Sequence, residues 1–157
     1  MALTIVSLPV EKGIVSYSAA LDEARKADHR IAASVSTSKE LRDKVCEFAQ
    51  DARRDFTGTL DEFTAFLRGA IQYRLVYDGA QAVGGYIVLD GELIGLFCTV
   101  RGKGDWMMRH AVLDGAYRLD CFAEPALLKL YHRHGFTIHR SEANWEPAGL
   151  PVVYMSR

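Results

Sequence analysis

Residues 73–104 read YRLVYDGAQAVGGYIVLDGELIGLFCTVRGKG. Three β-rich runs, over 73–77, 83–89 and 93–100, are punctuated by Asp78-Gly79 and Asp90-Gly91. An Asp-Gly pair between such runs supplies the positive-φ backbone that a tight hairpin needs, so the stretch predicts three antiparallel strands. Gly95 interrupts the third run, where a missing side chain permits a bulge or the close approach of another group. The glycine loop Arg101-Gly102-Lys103-Gly104 follows, then a short helix over 105–114 and a strand over 117–123. A strand–helix–strand crossover makes the strands it joins parallel, here inside an otherwise antiparallel sheet.

Upstream, residues 3–10 suit a short strand, and the stretch to Ile31 carries a weak helical pattern through Tyr17, Leu21 and Ala24. Thr37 and Glu40 have capping-box spacing ahead of Leu41, Val45, Phe48 and Ala52. Thr59 and Glu62 repeat it before Leu60, Phe63, Phe66, Leu67, Ala70 and Ile71, which predicts a second amphipathic helix ending near Gln72. Downstream, Pro125 opens a helix whose apolar face is Leu127, Leu130, Tyr131 and His134, with Gly135 as its left-handed end. Two strands, 137–140 and 152–155, close the chain around a loop containing Trp145, Pro147, Gly149 and Pro151. That loop reads as a lid, a partner surface or a plug of a minor core. The fold class is α/β, a mainly antiparallel sheet with a central parallel pair flanked by helices, and residues 1–157 are expected to form one domain.

Composition narrows the function. With 157 residues, 49% of them hydrophobic, the chain can bury a substantial core. Nineteen Lys and Arg against 20 Asp and Glu give a net charge of −1, which offers no broad basic field for a nucleic-acid backbone. No apolar run approaches the ~20 residues of a membrane span, and Met1-Ala2-Leu3-Thr4 lacks the basic start of a signal peptide, so a cytoplasmic protein is expected. Cys46, Cys98 and Cys121 are too few for a disulfide framework and read as reduced, mostly buried thiols. Cys98 as a nucleophile is the weaker reading, since nothing nearby lowers its pKa. His132 and His134 project about 200° apart on a helix and read as a solvated pair rather than a metal face.

The chemistry points to the glycine loop. Small residues let backbone N–H groups face a phosphate, and a helix N-terminus behind them adds partial positive charge. Arg101 and Lys103 strengthen that reading, while the plainer alternative is a basic turn between strand and helix.

Downstream, the strand Leu119-Asp120-Cys121-Phe122-Ala123 and a helix ending Tyr131-His132-Arg133-His134-Gly135-Phe136 resemble the last third of the GNAT N-acetyltransferase superfamily, where a helix ends in Tyr-x-x-x-Gly-Phe. Arg101-x-x-Gly104 matches the first part of the family's Arg/Gln-x-x-Gly-x-Gly/Ala pyrophosphate loop. The likeness spans roughly residues 73–140. The Leu-Asp-Cys-Phe strand and Asn144-Trp145 also resemble small phage-encoded GNAT-like proteins.

The resemblance implies an acetyl-CoA site between splayed strands and transfer of the acetyl group to a primary amine of a small molecule or protein. Leu96, Phe97, Cys98 and Thr99 would offer backbone groups to pantetheine, and Arg101, Gly102, Lys103 and Gly104 would wrap the pyrophosphate. Tyr131 would stand beside the thioester sulfur and protonate the leaving thiolate. A structural role for Tyr131, packed on Phe136 at the helix end, competes with that one. Glu92 and Asp120 are candidates to lead a water chain to the amine, or else surface carboxylates. Trp106 stands where the family has Gly or Ala, and Asp105 reads as an N-cap whose carboxylate would repel pyrophosphate. These two residues support the rival reading, a non-catalytic binding or inhibitory protein on the same fold.

Overall fold

A computed structural model describes residues 2–144, 146 and 148–157, the side chains of 32–34 excepted. The elements are β1 (Leu3–Leu8), α1 (Gly13–Ala27), α2 (His29–Ser34), α3 (Ser38–Asp55), α4 (Leu60–Ala70), β2 (Ile71–Asp78), β3 (Gln81–Leu89), β4 (Glu92–Cys98), α5 (Gly104–Leu113), β5 (Arg118–Phe122), α6 (Pro125–Arg133), β6 (Thr137–Glu142) and β7 (Val152–Ser156). Among the described residues, seven strands form one sheet in the order β1-β2-β3-β4-β5-β7-β6. Trp145 and Pro147, in the loop read as a lid, a partner surface or a minor-core plug, lie outside the described residues.

Local chemistry sets most boundaries. The Thr59 hydroxyl accepts from the Glu62 N–H at 3.1 Å and the Glu62 carboxylate accepts from the Thr59 N–H, a complete capping box that starts α4. α4 stops at Ala70, two residues short of the expected end, because Ile71 already pairs with Leu89 in the β2–β3 ladder. The weak helical stretch before Ile31 breaks at Asp28, whose carboxylate accepts the Arg30 N–H at 3.0 Å and begins α2. At the far end of α6, the Gly135 N–H donates to His132 and the Phe136 N–H to Tyr131, the paired bonds of a Schellman end, with Gly135 at φ +90°.

The core divides between the two faces of the sheet. On one face, Tyr17, Leu21, Leu41 and Val45 of α1 and α3 pack on Tyr73, Leu75, Ile87, Ile94 and Phe97. On the other, Met107, Met108 and Ala111 of α5 and Tyr131 of α6 pack on Tyr86, Val88, Leu119, Phe136, Val153 and Met155. Cys98 and Cys121 are half-buried, but Cys46 is exposed, which corrects the expectation of mostly buried thiols. Cys46 lies on the solvent side of α3, one residue after the buried Val45.

The crossover does produce the expected parallel pair, but only at its start. β4 and β5 are paired at Glu92 and Arg118 alone. Beyond that point β4 carries a register shift opposite Gly85 to Ile87, and Gly95 there has φ +65°. The Tyr17 hydroxyl donates to the Gly95 carbonyl. A Cβ on Gly95 would stand 2.9 Å from Leu41 Cδ1, so the bulge and the close approach coincide at one glycine.

Candidate active site

Where β4 and β5 part, a cavity of about 620 Å³ opens. Its walls include Leu93, Ile94, Gly95 and Leu96 of β4, Leu119, Asp120, Cys121 and Phe122 of β5, and Tyr131 and Leu127 of α6. Tyr131 is 7% exposed, its ring meets Phe136 edge-on at 6.3 Å, and its hydroxyl makes no hydrogen bond to another described residue. Burial, with Cys121 and Asp120 nearby, pushes the phenol well above its ordinary pKa, so it stays protonated. The structural contact with Phe136 and the position on the cavity wall therefore hold together.

Backbone direction along β4 sorts the residues expected to meet pantetheine. The Thr99 N–H donates to the Val83 carbonyl at 2.7 Å, toward β3. Antiparallel pairing alternates, so Phe97, opposite Gly85, also faces β3, while Leu96 and Cys98 turn their N–H and C=O toward the gap. The Phe97 side chain is buried against Tyr17, with ring centroids 5.7 Å apart. Cys98 is half-buried and its Sγ donates to the Val100 carbonyl at 3.2 Å; burial raises its pKa, and a protonated thiol is a poor nucleophile. Burial likewise pushes the Cys121 thiol up to about 11, with Asp120 and Glu124 adding to it.

Arg101, Gly102, Lys103 and Gly104 are not part of the cavity wall; they follow the end of β4 and lead into α5. Gly102 has φ +81° and nothing within 4 Å of where a Cβ would project. Lys103, not Asp105, is the N-cap of α5, and no side chain among the described residues caps the helix. Its first N–H groups are thus left without a side-chain acceptor, and neither Arg101 nor Lys103 forms an ion pair among the described residues.

Both sequence-based objections to this loop change in the structure. The Asp105 carboxylate turns from the helix end to Arg133 and His134 at the end of α6, at 3.1 Å and 2.8 Å. Arg133 first and His134 second hold its pKa below the usual carboxylate value. His134 is consequently half-buried in a contact with the Asp105 carboxylate rather than half of a solvated pair. The Trp106 indole, in the first turn of α5, meets His110 edge-on at 4.8 Å and packs partly buried against the core.

The other wall of the cavity comes from residues whose role sequence reasoning missed: Arg25 of α1 and Glu40 and Lys44 of α3. The Arg25 Nη1 donates to the Val35 carbonyl at 2.6 Å. Lys44 forms an ion pair with Glu92, which removes Glu92 as a group facing an incoming amine. Glu40 was legible only as a cap partner. Thr37 does accept from the Glu40 N–H at 3.2 Å, but the reciprocal carboxylate bond is not made among the described residues. Asp120 also lines the cavity, and neither Glu40 nor Asp120 forms an ion pair among the described residues.

Solved structures show the same arrangement of elements across nearly the whole chain. A GNAT-family acetyltransferase from Streptococcus pneumoniae superposes with a TM-score of 0.52 at 15% identity, covering 99% of both chains. The chain has the GNAT fold. The putative acetyltransferase yncA from Salmonella typhimurium, solved with acetyl-CoA, covers 100% of this chain and 94% of its own at 14% identity and TM-score 0.52. The ribosomal-protein-S18-alanine N-acetyltransferase of Escherichia coli covers 98% and 92% at 13% identity and TM-score 0.53. No family model and no curated relative matches the chain. The GNAT fold is thus shared through backbone geometry, with little of the sequence in common. Among the described residues no helix is long and apolar enough to cross a membrane.

Proposed function

We propose that the protein is an acetyl-CoA-dependent N-acetyltransferase acting on a primary amine. The observation that carries this reading is that β4 and β5 pair only at Glu92 and Arg118 and then part around a cavity lined by Tyr131, which is protonated and has no hydrogen-bond partner among the described residues, while the chain runs on from β4 through the basic glycine loop at 101–104 into α5. The residues fit the cosubstrate. Leu96 and Cys98 face the gap with the backbone groups that would meet pantetheine, whereas Phe97 between them and Thr99 just past the strand turn theirs toward β3. Arg101, Gly102, Lys103 and Gly104 would hold the pyrophosphate through backbone N–H groups and positive charge.

When bound, acetyl-CoA supplies the thioester at which a neutral amine forms a C–N bond as the C–S bond breaks, with coenzyme A leaving as a thiol. Tyr131 would place its phenolic proton against the departing sulfur, where negative charge develops. Asp120, on the cavity wall without an ionic partner, would receive the amine proton directly or through water. The low polarity around Tyr131 strengthens its hydrogen bond to a developing thiolate.

Isothermal titration with acetyl-CoA tests the reading. Binding that weakens as salt is raised is the expected result, because phosphate contacts are screened. No heat at millimolar acetyl-CoA would leave only the shared fold.

A further inference from the structure

We infer that Tyr17 is a positioning residue for acetyl transfer: from α1 its hydroxyl fastens the Gly95 carbonyl to one face of the sheet, which turns the Leu96 N–H of the same peptide toward the other face and the Tyr131 side of the cavity. This rests on the acetyltransferase reading above and adds to it a residue outside the cavity wall, which acts through the backbone of β4.

The two tyrosines lie on opposite faces of the sheet. Tyr17 belongs to the core under α1 and α3, Tyr131 to the core under α5 and α6, and β4 runs between them. The Tyr17 hydroxyl donates to the Gly95 carbonyl. The peptide joining Gly95 to Leu96 is trans and planar, so its C=O and N–H point in opposite directions. Holding the carbonyl toward α1 therefore aims the Leu96 N–H into the gap on its α6 side. Gly95, Leu96 and Tyr131 all line the cavity there. Among the described residues, neither Gly95 nor Leu96 is in register with a residue of β3 or β5, so no ladder pairing fixes this peptide and the hydroxyl sets its direction.

Tyr17 is itself held in place. It is fully buried, its ring meets Phe97 edge-on, and a Cβ on Gly85 would come within 2.9 Å of its Cε2. A ring so enclosed has no room to swing, and its hydroxyl keeps one direction. Burial raises the phenol pKa, so the group remains a donor. When an amine attacks the thioester, negative charge develops on the carbonyl oxygen. A backbone N–H already aimed at that oxygen stabilises the charge without reorganising, whereas a peptide free to rock does not.

The test uses Tyr17→Phe, which keeps the ring and removes only the hydroxyl. Leu21→Val, a cavity-forming change at another fully buried residue of α1, is the control for lost stability. With butylamine as the probe acceptor, kcat in Tyr17→Phe should fall by roughly tenfold or more, while titrated affinities for acetyl-CoA and coenzyme A stay within about twofold of wild type. Leu21→Val should lower Tm and leave kcat unchanged. In 15N-labelled wild-type protein the Leu96 amide resonance should shift with acetyl-CoA and differently with coenzyme A, which lacks the carbonyl; in Tyr17→Phe that difference should shrink. An undiminished kcat in Tyr17→Phe, an equal loss of kcat in Leu21→Val, or a wild-type Leu96 amide that responds alike to both ligands overturns the inference. The amide reading needs neither a variant nor turnover, and it decides by itself if Tyr17→Phe does not fold or butylamine is not acetylated. Absence of acetyl-CoA binding to the wild type overturns the parent reading as well, and the titration tells the two failures apart.

Discussion

Asp105 Oδ1 lies 2.8 Å from His134 Nε2, joining the first turn of α5 to the C-terminal end of α6. A carboxylate that would otherwise crowd an anion site at the helix N-terminus is instead spent on holding together the two helices that carry the loop and Tyr131. Arg133 completes the clasp from the same side, with Nε 3.1 Å from Asp105 Oδ1.

Replacing Asp105 with Asn should therefore cost stability and not cosubstrate affinity. Asp105 and Arg133 are about half exposed and only His134 is sheltered, so the expected loss is about 0.5 kcal/mol, or ~1–2 °C in Tm. The pKa of Asp105 is lowered in the folded protein, so its contribution is fully present above the unfolded value of 3.8 and disappears as pH falls through the lower folded value. Thermal melts of wild type and variant should differ at pH 6 and converge at the acid end of the series. A difference that persists unchanged below pH 3 would mean the Asp105 charge is not its source.

Tyr131→Phe should lower kcat by about 10²-fold with a smaller change in KM for acetyl-CoA, since proton donation matters only as the C–S bond breaks. Because burial raises the phenol pKa, the wild-type rate should show no alkaline loss assignable to Tyr131 up to pH 10. The hydroxyl has no partner in the described protein, so the variant's Tm should match wild type. An undiminished kcat would reduce Tyr131 to its packing role on Phe136.

The β4 bulge offers a separate test of the cleft's architecture. Gly95→Ala must place a Cβ at φ +65° and 2.9 Å from Leu41 Cδ1. The left-handed conformation alone costs about 1–2 kcal/mol, so Tm should fall by at least ~3 °C. Gly69→Ala, where nothing lies within 4 Å of the added carbon, should raise or preserve Tm and serves as the control.

For the loop, Arg101→Ala and Lys103→Ala should each weaken acetyl-CoA binding and flatten its dependence on salt, because a phosphate-directed charge has been removed. Titration at two ionic strengths measures both effects. Weakening that is equal at low and high salt would argue against phosphate contact by these side chains.

Much of the fold was legible because its determinants are local. Asp78-Gly79 and Asp90-Gly91 impose hairpins wherever they fall, Thr59 and Glu62 complete a capping box within four residues, and Pro125 and Gly135 bracket α6. Tyr131 and the loop at 101–104 were legible from a pattern of residue types. Glu40 was not, since the same Thr-x-x-Glu spacing that forms a full box at Thr59 leaves the Glu40 carboxylate unengaged by Thr37. The role of Asp105 was misread for a related reason. A helix-start Asp looks like a cap in sequence, and only the arrival of Arg133 and His134 from 28 and 29 residues away gives it a stronger partner.

The chain of residues by itself determined most of the strands and helices, though not the break between α1 and α2, together with the parallel sense of the β4–β5 pair and the tyrosine-bearing helix after it. Those outcomes follow from hydrogen bonds and torsions within a few residues and from the handedness of a crossover. Only the folded structure decided that β4 and β5 part after Glu92 and Arg118, that Tyr17 and Leu41 close on Gly95, and that Glu40 and Asp120 face one cavity. Such contacts bring together residues up to about 80 positions apart, and their partners are chosen by packing across a sheet, which no local spacing encodes.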